Sequence, residues 1–117
     1  MDPDASAGLT SIRQARAALR ALGLDDDVAQ HAALVVTELG TNAMLHGGGI
    51  RGIRIAPIPG GGVRLEVEDS SNVPPRPGPS GAMSGRGLVI VEALTSRWGS
   101  QRAGAGKVVW AELTPGQ

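Results

Sequence analysis

Apolar residues recur at helical spacing in the N-terminal third of the chain and then switch to strict alternation. Ile12, Ala15, Leu19 and Leu22 are three to four residues apart, which predicts an amphipathic helix. Thr10 and Ser11 suit its start and Gly23 its end. Residues 1–8 carry no such repeat and are expected to form a disordered tail. Asp25, Asp26 and Asp27 open a second helix, where capping and the helix dipole both favour carboxylates. Val28, Ala32, Val35, Leu39 and Ala43 keep its period to about His46, and Gly47-Gly48-Gly49 ends it. From there the period is two. Ile53 and Ile55 flank Arg54, with Pro57 and Pro59 marking the end of that strand. After Gly60-Gly61-Gly62, the residues Val63, Leu65 and Val67 alternate with Arg64, Glu66 and Glu68, so the two strands should pair as a hairpin. Residues 70–87 break both patterns with four prolines and many Gly and Ser, a loop without a core of its own. A third helix is expected from about Leu88 to Thr95. Strands at about 97–102 and 107–113 follow, joined by Gly104-Ala105-Gly106.

This order predicts an α+β two-layer sandwich: a mostly antiparallel mixed sheet with the helices on one face. A chain of 117 residues supports one core, so residues 9–117 are expected to form a single domain. Eleven basic and eleven acidic residues cancel, which removes the electrostatic case for direct nucleic-acid binding. Trp98 and Trp110 are the only aromatic residues besides histidine, too few for a base-stacking platform. No cysteine is present, so disulfides, thiolate metal sites and cysteine nucleophiles are excluded. No apolar run is long enough to span a membrane, and MDPDASAG does not read as a signal peptide. A cytoplasmic location is the expectation.

Three places depart from the apolar logic. Glu38, Asn42 and His46 lie at i, i+4 and i+8 on the second helix, one ridge beside Leu39 and Ala43. An Asn oxygen there can ligate a hard cation such as Mg²⁺ while the carboxylate takes a proton. The ridge reads equally as an ordinary polar helix face, with His46 favoured by the dipole. Asp69 shares the parity of Val63, Leu65 and Val67 at its strand's end. Its carboxylate can accept a hydrogen bond from an amino group such as adenine N6, or bond its own following backbone in an Asx turn. Gly85-Arg86-Gly87-Leu88 is a Gly-rich segment opening a helix, where backbone N–H groups, the dipole and Arg86 suit a phosphate. It reads also as a flexible loop before a normal helix start.

Taken in order, these motifs resemble a histidine-kinase-like ATPase of the Bergerat fold. The resemblance is to its small bacterial anti-sigma-factor serine/threonine kinase branch. Glu38-Leu39-Gly40-Thr41-Asn42-Ala43-Met44-Leu45-His46-Gly47 is similar to that branch's N box. Val67-Glu68-Asp69 stands where its first glycine box begins, and Gly85-Arg86-Gly87-Leu88-Val89-Ile90-Val91 resembles the second. Trp98-Gly99 and Gly106-Lys107-Val108-Val109-Trp110 resemble its closing strands. The resemblance implies ATP and Mg²⁺ as ligands, with Asn42 holding the metal and Glu38 as general base. It implies that Asp69 reads adenine, that His46 lines the pocket, and that residues 72–84 form a lid. Gly85, Arg86, Gly87 and Leu88 would contact phosphate. The first glycine box departs from the D-x-G-x-G pattern: Asp69-Ser70-Ser71-Asn72-Val73 puts Ser71 and Val73 where glycines would let backbone approach the base. Lys107 and Val108 stand where a threonine is usual, so a hydroxyl partner for Asp69 is absent.

The resemblance implies a regulatory protein that phosphorylates an anti-anti-sigma-type antagonist and sequesters a sigma factor, with homodimerisation common in the branch. The alternative is a catalytically inactive partner-binding module with weak or no nucleotide binding. The ATPase module of a two-component histidine kinase fits less well. These residues show no dimerisation helix pair or phosphoacceptor histidine segment, and His31 reads as structural or solvated.

Overall fold

The computed structural model describes residues 3–71 and 85–116. The segment expected to act as a lid, with Val73, lies outside the described residues. The elements in chain order are α1 (Pro3–Ala21), α2 (Asp26–His46), β1 (Ile50–Ile58), β2 (Gly62–Asp69), α3 (Gly85–Leu94), β3 (Arg97–Ala103) and β4 (Gly106–Leu113). The two hairpins, β1-β2 and β3-β4, join through β2 and β4 to give the strand order β1-β2-β4-β3. Every pairing is antiparallel. The expected α+β sandwich with a mostly antiparallel sheet is observed, and the described strands are antiparallel throughout because β4 turns back from β3 and runs against β2.

Strand parity sorts the sheet into two faces. Val63, Leu65, Val67 and Asp69 on β2, and Lys107, Val109, Ala111 and Leu113 on β4, are buried. Apart from Asp69 and Lys107, they form one cluster with Ala15 and Leu19 of α1, five or more residues of α2 including Val35 and Leu39, and Leu88 and Val91 of α3. The other face carries charge. Arg54 pairs with Glu66 and Glu68, Arg64 with Glu66 and Glu112, and Arg97 with Glu112. The Arg64 and Arg97 guanidiniums lie over the Trp110 ring, 4.5 and 5.7 Å from its centre, where the ring quadrupole attracts a cation.

Helix α1 begins at Pro3, so the expected disordered tail is replaced by helix from that residue onward. Proline suits a first helical turn because its missing N–H has no partner there in any case. Thr10 and Ser11 do not cap the helix; their hydroxyls donate back to the carbonyls of Ser6 and Ala7 one turn earlier. Within that stretch Gly8 packs closely on α2: a Cβ there would lie 2.9 Å from Met44 Sδ. Helix α2 starts as expected, with the Asp25 carboxylate accepting from the Asp27 N–H. Helix α3 begins at Gly85, three residues before the expected start.

Two outcomes test this account. Gly106→Ala would drive a Cβ into the backbone carbonyl of Asp69, whereas Gly52 has open space at its Cβ position and ordinary backbone. Gly106→Ala should therefore lower unfolding free energy by about 1–3 kcal/mol, while Gly52→Ala stays near wild type in the same denaturant titration. On the charged face, hydrogen bonds from Arg64 and then Arg54 hold Glu66 below its ordinary value of 4.5. Arg97 and then Arg64 do the same for Glu112. A depressed carboxylate stabilises the fold above its unfolded pKa and loses that contribution as pH falls through the folded value. Melting temperature should fall as pH drops below about 4.5, and Glu112→Gln should flatten that fall.

Candidate functional site

The last turn of α2 and the end of β2 meet at one end of the helix–sheet interface. Helix α2 packs against β2, β4 and α3. On α2, Asn42 is buried, Glu38 is half-buried one turn earlier, and His46 is exposed on the last turn. The helix ends against the end of β2. Gly47 accepts from the Ser70 N–H at 2.9 Å, and a Cβ at Gly47 would lie 2.7 Å from both Cγ and Oδ2 of Asp69. Only glycine lets the helix terminus sit this close to the carboxylate.

Asp69 is 1% exposed and Lys107 is 2% exposed. They face each other in the β2–β4 register, and the Lys107 ammonium donates to Asp69 Oδ2 at 2.7 Å. The other carboxylate oxygen accepts from the Ser71 N–H at 2.9 Å. The Asx-turn alternative for Asp69 is thus present on one oxygen, beside an ion pair on the other. Asn42 has the opposite condition. Its Oδ1 is buried without a hydrogen-bond partner among the described residues, a costly state for a polar atom.

Residues Gly85, Arg86, Gly87 and Leu88 form the first turn of α3, the positive end of its dipole. Gly87 is buried, and the Leu88 side chain belongs to the core rather than to the surface of a site. Ser71, at the edge of the described segment, contributes its backbone N–H to Asp69. Lys107 is the residue whose part the motif pattern did not convey. It registers there as a missing threonine, yet its parity with Val109, Ala111 and Leu113 marks a charge aimed into the core.

The family model for the histidine kinase-like ATPase domain matches residues 5–113. The chain belongs to that family. Among curated proteins, an uncharacterized protein of Streptomyces coelicolor is 39% identical over 64 residues, which are 51% of this chain and 61% of the relative. The alignment thus spans about three fifths of that relative's length. No solved structure matches. The α+β architecture agrees with the family fold, and membership in an ATPase family implies ATP as the ligand. No helix among the described residues is long and apolar enough to cross a membrane.

Asn42 and Asp69 differ in how they would fit Mg-ATP. The unpartnered buried amide oxygen of Asn42 would suit a hard cation that keeps several waters. Both oxygens of Asp69 already accept a hydrogen bond from the protein. A second feature lies apart from both. A groove of about 400 Å³ between α1 and α2 is lined by Leu9, Ile12, Arg13, Arg16, Arg20 and Thr37, with Thr41 at its end.

Asp69→Asn should test the pair directly. It leaves the Lys107 ammonium buried without a counter-charge, and breaking a buried pair from one side costs about 3–5 kcal/mol. Equilibrium urea unfolding should show a loss of that size, and a variant as stable as wild type would show that the pair contributes no net stability.

Proposed function

We propose that this ATPase domain is a Mg-ATP-dependent regulatory protein kinase. It phosphorylates serine or threonine on an anti-anti-sigma-type antagonist and sequesters a sigma factor. The observation that carries the reading is the buried, unpartnered Oδ1 of Asn42, one helical turn from the half-buried carboxylate of Glu38. Asn42 would hold Mg²⁺, which when bound neutralises phosphate charge and orients the transferred group. Glu38 would accept the proton of the attacking hydroxyl as its oxygen bonds to the γ-phosphorus and the bond to the β-phosphate oxygen breaks, releasing ADP. The first turn of α3 would stabilise phosphate charge through its backbone N–H groups and dipole. Such transfer depends on positioning and electrostatics rather than on covalent intermediates. The groove between α1 and α2, with Leu9 and three arginines along α1, suits an acidic segment of a protein partner.

A second reading is favoured by the engaged state of Asp69. In it the domain sequesters its partner without turning over ATP. The two separate on one variant. If the domain is a kinase, Glu38→Ala abolishes phosphate transfer from labelled ATP to a purified anti-anti-sigma-type protein and leaves partner binding intact. Calorimetric titration with Mg-ATP should show saturable binding that Asn42→Ala removes. Absence of transfer by the wild type, with partner binding retained, would establish the sequestering module instead.

A further inference from the structure

Lys107 is the single lysine in a chain that otherwise uses arginine for its positive charge. It is placed where arginine's use on the surface would not lead one to look for it, buried at the start of β4. Its ammonium has three N–H donors, and Asp69 Oδ2 is its hydrogen-bond partner among the described residues. The pair sits in strand register, so the ammonium is tethered beside the carboxylate and acts at high effective concentration.

A nucleobase amino group is a neutral donor. To reach Asp69 Oδ2, on a carboxylate only 1% exposed, it has to compete with the tethered ammonium at 2.7 Å, and displacing that ammonium leaves a buried charge without its partner. Asp69 Oδ1 accepts from the Ser71 N–H at 2.9 Å, and the 1% exposure of the residue leaves little room for a second donor there. Asn42 carries no such engagement on its Oδ1. The metal end of the site is therefore open while the base end is satisfied from within.

We infer that Lys107 is a built-in competitor for the base-reading carboxylate, so that the wild-type site takes Mg-nucleoside triphosphates by their phosphate and metal end with little discrimination among bases. This rests on the reading of Asn42 and Asp69 as the two ends of one nucleotide site. It extends that reading by naming the residue that sets base preference and affinity. Lys107→Thr removes the ammonium and leaves a small hydroxyl on the same face of β4, which frees Asp69 Oδ2 for an amino group.

The test is calorimetric titration of wild type and Lys107→Thr with Mg-ATP and with Mg-GTP. The folded state of each protein is checked by circular dichroism, and Lys107→Gln, which keeps a neutral donor, stands in if the threonine variant does not fold. The wild type should bind the two nucleotides within about threefold of each other. The variant should bind ATP about tenfold or more tightly than wild type, the worth of one hydrogen bond to a charged group, with GTP little changed. A wild type that binds neither nucleotide would overturn both the inference and the kinase reading, whatever the variant does. A wild type that prefers ATP by about tenfold would overturn the inference. So would a substitution that leaves the ATP-to-GTP ratio as it was. Nucleotide binding that depends on Asn42 but is indifferent to Lys107 would overturn this inference and leave the site reading standing.

Discussion

A carboxylate and an ammonium 2.7 Å apart, each almost wholly removed from water, close one end of the helix–sheet interface. Neither charge is tolerable there alone, because desolvation would cost several kcal/mol per ion. Together they join the ends of β2 and β4, and the rest of the local structure is arranged around them. The β3–β4 turn must reach β4 through Gly106, whose missing side chain makes room for the Asp69 backbone. Helix α2 must end in Gly47 for the same reason on the carboxylate side. The chain leaving β2 is turned by Ser71 donating to the second carboxylate oxygen. Three separate segments thus converge on one buried pair.

That pair belongs to the helix-facing side of the sheet, and the contrast with the outer side explains why the chemistry gathers there. Outside, Arg54, Arg64 and Arg97 share Glu66, Glu68 and Glu112 in a ladder that water reaches. Such pairs are screened and contribute modestly. Inside, low polarity makes every hydrogen bond and every missing one matter more. The unpartnered oxygen of Asn42 and the carboxylate of Asp69, each of whose oxygens already accepts a bond from the protein, are opposite conditions within one such environment.

Much of this was legible along the chain. The period-four repeat from Val28 to Ala43 defines the buried stripe of α2. Alternation from Val63 to Val67 sets the inward parity of Asp69. The glycines flanking those runs mark their ends. Local preferences of this kind act over a few residues, so a single sequence displays them. The start of α1 was not legible, because residues 1–8 carry no apolar repeat, and the close approach of Gly8 to Met44 in another helix is a tertiary contact.

What the sequence by itself determined is therefore the set of elements and the inward face of each, and it offered Glu38, Asn42, Asp69 and the Gly85–Leu88 turn as candidates for a nucleotide site. What only the tertiary structure decided is which of those groups are already engaged. Asp69 and Lys107 are 38 residues apart in sequence, and they become neighbours only because β4 is laid beside β2 in one particular register. A hydrogen bond between distant residues depends on that register, which is selected by the burial of both hydrophobic faces at once. No local pattern around either residue carries that information.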